Sequence, residues 1–185
     1  MIAEHKLMRR VAGFHDLRLD GISDLVNRAK GASVFDIGCN RGLAGFELAN
    51  NGATLVHGCD NYPEGVATAR ELFIDLRNVK SRFEVVDLNG GGEALKAAFG
   101  EDYPASYDIV LMLATYHKLK RQMDEGALNK LMLHFGKRTK SYFGWRGYAA
   151  EVTELDKLFE TVGLQRIHYS EISQTIGPAA IWGRV

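Results

Sequence analysis

From residue 33 to the end of the chain, short apolar runs alternate with stretches whose apolar residues recur every three or four positions. No other feature constrains the fold as strongly. Apolar runs bounded by Gly, Asn and Asp read as buried strands, and the amphipathic stretches between them read as helices. Strands are expected at 33–37, 54–59, 82–86, 107–113 and 141–143. Helices are expected at about 42–50, along the face Val66, Ala69, Phe73, Leu76 and Val79, and in a stretch ending near Gly100. Two more are marked by Leu128, Leu131, Met132 and Phe135, and by Val152, Leu155, Leu158, Phe159 and Val162. Such alternation predicts a mostly parallel sheet with helices on both faces. The run at 107–113 is the most apolar, which places it centrally. Strands at 164–169 and 180–184 close the chain without a helix between them and are expected to be antiparallel. Ahead of this domain at 33–185, residues 1–32 read as a helical extension, with Ile22, Leu25, Val26 and Ala29 at helical spacing and Gly31 as a stop.

The 185 residues suit one domain, able to bury about 70% of its unfolded surface. Lys and Arg total 23, as do Asp and Glu, so global attraction to nucleic acid or an anionic membrane is not expected. Cys39 and Cys59 give no disulfide framework, which fits a reducing cytoplasm. No run approaches 18 apolar residues, so membrane spanning and export are not expected. The six histidines show no metal-ligand spacing, and no metal is expected.

In open α/β sheets, ligands bind beyond the carboxyl ends of the strands. The first strand delivers Asp36, Ile37, Gly38, Cys39, Asn40, Arg41 and Gly42 to that edge. Gly38 and Gly42 allow close approach of backbone to a ligand, and the helix starting near Gly42 aims free N–H groups at the same place. Asp60 ends the second strand, placed either to accept from ribose hydroxyls or to cap a helix. Asp87 ends the third, where it can accept from an adenine amino group or cap a turn, and Leu88 can pack against the ring.

With Asp36, Gly38 and Gly42 in place, the chain resembles the class I S-adenosylmethionine (SAM)-dependent methyltransferases, over about 33–185. Asn40 stands where that family usually has its middle glycine. The resemblance implies a seven-stranded Rossmann-like sheet, mostly parallel with an antiparallel last strand. It implies SAM as cofactor and S-adenosylhomocysteine as product. The loop from Gly38 through Cys39 and Asn40 to Gly42 would cradle the methionine part and Asp60 would hold the ribose. Asn61 and Tyr62 would border the adenine, Asp87 and Leu88 would read its edge, and Leu113 to His117 would lie beside the reactive methyl. A nicotinamide-dependent oxidoreductase is the rival, but it wants glycine at 38, 40 and 43, where this chain has Asn40 and Leu43.

At the reacting end, His117 can act as a base or as a structural hydrogen-bonding residue, and Tyr116 can position a substrate. Between 117 and 146 there are eight Lys or Arg and two acids. Lys118, Lys120, Arg121 and Arg146 read as loop residues at the active edge, able to hold an acidic acceptor or simply to be solvated. Trp145 can stack on an aromatic acceptor or close the core. His15 and Arg18 precede the first helix, and the 1–32 extension reads as a lid over the cofactor or as a surface brace. The acceptor is expected to be an O or N atom on a small molecule. A nucleotide or RNA is the next acceptor, and a non-catalytic SAM-binding partner subunit the next role.

Overall fold

A computed structural model of the protein describes residues 19–173 and 177–185. Five parallel-reading strands appear in chain order: β1 (Ser33–Ile37), β2 (Leu55–Asp60), β3 (Lys80–Val85), β4 (Tyr107–Leu113) and β5 (Thr139–Arg146). β6 (Leu164–Ser173) and β7 (Gly177–Arg184) follow. The helices are α1 (Asp24–Asn27), α2 (Leu43–Asn50), α3 (Pro63–Phe73), α4 (Gly91–Phe99), α5 (Tyr116–Gln122), α6 (Glu125–Arg138) and α7 (Ala149–Glu160).

The sheet order is β3-β2-β1-β4-β5-β7-β6. β1 pairs in parallel with both β2 and β4, so the chain changes direction of travel across the sheet there. β7 runs antiparallel to both β5 and β6. Successive strand residues face opposite sides, which splits the core in two. Phe35 and Ile37 join Tyr107, Val110, Met112 and the α4, α6 and α7 side chains on one face. Val34, Ile109 and Leu111 join residues of the 19–32 segment, α2 and α3 on the other.

Several boundaries differ from the sequence expectation. β5 runs three residues beyond Phe143, because it continues between β4 and β7. Strands β6 and β7 are longer than expected, pairing as far as Ser173 and Gly177. Leu76 and Val79 lie past the end of α3 but still pack against the core. Of the expected N-terminal helix, the described part contributes only the short α1. Leu19, Ile22, Leu25 and Ala29 are nevertheless buried. Among the described residues, no helix is long and apolar enough to cross a membrane.

Candidate functional site

A cleft opens at the carboxyl ends of β1, β2 and β4, where the sheet order reverses. It has two lobes. The first, about 520 Å³, is lined by the Gly38–Ala44 loop region, Asp36, Leu113, Ala114 and Arg146. The second, about 460 Å³, is lined by Asp60, Asn61, Val86, Asp87, Leu88, Thr115, Lys118, Leu119 and Gln122. Gly38 lines both.

The loop between the lobes is held by hydrogen bonds rather than by bulk. Gly38 N and Cys39 N both donate to the Cys59 carbonyl, at 2.8 and 3.0 Å. Asn40 N donates to Asp60 Oδ2 at 2.8 Å, and Tyr62 N to Asp60 Oδ1 at 3.0 Å. One carboxylate therefore ties the turn after β1 to the turn after β2. Each of its oxygens keeps a lone pair for a ligand. Gly38 and Gly42 have φ of 72° and 71°, and Asn40 adopts 48°, a conformation asparagine tolerates better than most residues. A Cβ on Gly38 would collide with the Thr115 hydroxyl, and one on Gly42 would lie 2.9 Å from the Ala69 methyl.

Asp36 is buried, accepts from Gly45 N at 3.3 Å and lines the first lobe. Asp87 accepts from Asn89 N at 3.0 Å, fixing the turn that presents the buried Leu88 to the second lobe. Cys39 lines the first lobe, but burial pushes its thiol up, with Asp36 adding to the shift. It is a packing surface there rather than a nucleophile.

The reacting end departs further from expectation. Lys118, Lys120 and Arg121 lie on helix α5, not in a loop. That helix divides two clefts. Thr115, Lys118, Leu119 and Gln122 face the second lobe. Tyr116, Lys120 and Met123 face a separate groove of about 990 Å³ between α5, α6 and α7. Tyr116 is thus buried away from both lobes, with its hydroxyl on Glu154 Oε2 at 3.3 Å. Burial and the Glu154 charge raise its phenol, which disfavours an ionised role. Trp145 is fully buried against Trp182, ring centroids 6.2 Å apart, so it closes the core instead of offering a stacking face. Arg146 ends β5, buried, and donates to the Asp20 carbonyl at 2.7 Å while lining the first lobe. His15 and Arg18 lie outside the described residues.

His117 is the second residue of α5, with its ring edge-on to Tyr148, centroids 5.0 Å apart. Burial lowers its pKa, with Arg121 and Lys118 adding to the shift, so the ring is neutral at pH 7. Thr115 lies within the stretch from Leu113 to His117 expected beside the reactive methyl, and the structure sets it in the space left by the missing Cβ of Gly38.

No family model matches the chain, and no curated protein matches it in sequence. Solved structures do match. An amino pentose methyltransferase from Micromonospora echinaspora, with SAM bound, has a TM-score of 0.68 at 13% identity, over 100% of this chain and 97% of that one. Magnesium protoporphyrin IX methyltransferase from Synechocystis, also with SAM bound, gives 0.67 at 17% identity, over 92% and 80%. A TehB-like SAM-dependent methyltransferase from Corynebacterium glutamicum gives 0.64 at 17%, over 100% and 98%. This chain has the Rossmann-like methyltransferase fold.

Proposed function

We propose that this protein is a SAM-dependent methyltransferase that transfers a methyl group to an O or N atom of a small molecule. One observation carries the reading. The two lobes meeting at Gly38 match a cofactor with an amino-acid arm and a nucleoside arm, and each lobe offers the groups its arm needs. In the first, Asp36 suits an ammonium and Arg146 a carboxylate. In the second, Asp60 suits ribose hydroxyls, Asp87 an adenine amino group, and Leu88 the ring face. Asn61 borders the same lobe. Two neighbours of the same fold hold SAM.

Bound there, SAM supplies a methyl group on positively charged sulfur, open to in-line displacement. The protein's task is to position the acceptor and accept its proton. His117 is suited to the second part. Burial favours its neutral form, it lies on the first turn of the helix that follows β4, and its ring meets Tyr148 edge-on. Residues 1–32 would close the acceptor side. Support comes from the described part, where Asp20 holds Arg146 and the Gly21 carbonyl meets His168 Nε2 at 2.9 Å.

The neighbours named above include a porphyrin and an amino pentose methyltransferase, so the fold alone does not select the acceptor. The exposed Lys118 and Arg121 favour a nucleotide or RNA as the second acceptor class. Salt-sensitive RNA association would support it, and no association at low salt would reject it. Calorimetric titration with SAM, S-adenosylhomocysteine and NAD tests the main reading. Micromolar binding of the first two and none of NAD is expected. Silence for all three would favour a non-catalytic partner subunit, and NAD binding alone an oxidoreductase.

A further inference from the structure

We propose that the Thr115 hydroxyl faces the cofactor's sulfonium and makes the cleft favour charged SAM over neutral S-adenosylhomocysteine. This rests on the cofactor reading above and assigns one atom within it.

The argument starts from connectivity. The amino-acid arm and the nucleoside arm of SAM are joined through a single sulfur atom. With the arms in separate lobes, the sulfur lies where the lobes meet. That junction is Gly38, the residue common to both linings. Thr115 stands directly against Gly38. A Cβ at position 38 would run into its hydroxyl and lie 3.0 Å from both its Cβ and its Cγ2.

The hydroxyl is not spent on the local job its position suggests. Thr115 is the N-cap of α5, where a threonine side chain ordinarily accepts from a free N–H of the first turn. Here it makes no such bond. Its hydroxyl instead lies 3.3 Å from the Leu113 carbonyl and 3.5 Å from the Ile37 carbonyl. Both are acceptors, so the hydroxyl proton is directed at the backbone, and what remains is oxygen lone-pair density. The residue is 9% exposed, and a dipole there is little screened by water. Lone pairs at that point suit a sulfonium, whose polarised methyl and methylene C–H groups are weak donors. The neutral thioether of S-adenosylhomocysteine has no positive charge to attract them. A cleft so arranged would hold the substrate form of the cofactor and release the spent one.

The test is titration of the wild type, Thr115→Val and Thr115→Ser with both ligands. Valine keeps the side-chain shape and loses the oxygen, while serine keeps the oxygen. Thr115→Val should lose about tenfold in SAM affinity and less than about twofold in S-adenosylhomocysteine affinity. Thr115→Ser should retain the wild-type ratio. An equal loss for both ligands, or no loss for either, would overturn the proposal, because packing alone would then explain Thr115. Should Thr115→Val fail to fold, Thr115→Ser decides, since a lost SAM preference there would overturn it. A wild type that binds neither ligand would remove the cofactor reading itself, a different failure from an unselective loss.

Discussion

The two ends of the cleft are built in different ways. The end we assign to the cofactor consists of turns: backbone N–H groups, glycines at positive φ and short acids bound to the turns around them. The end we assign to the acceptor consists of long side chains on α5, β5 and the start of α7, several of them also part of the core. A turn is specified by a few adjacent residues, whereas a side chain's direction depends on what packs around it. The first end can therefore be fixed before a ligand arrives, while the second leaves room to vary the acceptor.

Gly38→Ala should break the contrast most visibly. A positive φ costs a non-glycine residue about 1–2 kcal/mol, and the collision with Thr115 adds to it. SAM binding should fall by more than about a hundredfold, with a lower melting temperature. Near-normal binding would show that the junction is not rigid. His117→Ala tests the other end. Turnover should drop about a hundredfold while SAM affinity stays within about twofold. Because burial and nearby cations lower the pKa of His117, the midpoint of the acid limb of the wild-type rate should lie below the ordinary histidine value of about 6.5. The variant should lack that acid limb. Equal losses in rate and affinity would make the residue structural.

Asp60→Ala removes two amide contacts and the ribose acceptor together, and should cost about thirtyfold in SAM affinity with the fold intact. Unchanged affinity would sink the ribose assignment.

A pH series on unfolding separates both ends from the scaffold beneath them. His57 is buried against Phe99 and the Tyr107 hydroxyl, and burial lowers it to about 4. The unfolded chain therefore binds more protons between pH 6.5 and 4. About 3 kcal/mol of stability present above pH 6.5 should be lost as pH falls through that window, in denaturant melts. A flat profile would place His57 in a wetter setting. Lys120→Ala should matter least. Its half-exposed pair with Glu154 contributes under about 1 kcal/mol, and SAM affinity should not move.

The legibility of the chain follows the same division. β1 and β4 could be read to the residue, because mostly apolar runs end in glycine or alanine turns. The placement of Asp36, Gly38, Asp60 and Asp87 along the cleft could be read because strand ends and turn residues are local signals. Helix α5 could not. Tyr116 and Leu119 are its only apolar markers, set among His117, Lys118, Lys120 and Arg121. Trp145 looked available because Gly144 and Arg146 interrupt the pattern, yet β7 covers it. Thr115 could be read only as one of the stretch from Leu113 to His117, since its neighbour Gly38 is distant in sequence.

Helix α5 also has a practical consequence. As a thin wall between two compartments, it can be monitored from behind. A fluorophore attached at Lys120, on the groove side, would stand one helix diameter from the second lobe without entering it. Ligand arrival could then be followed in real time by a reporter that never competes for the space it watches.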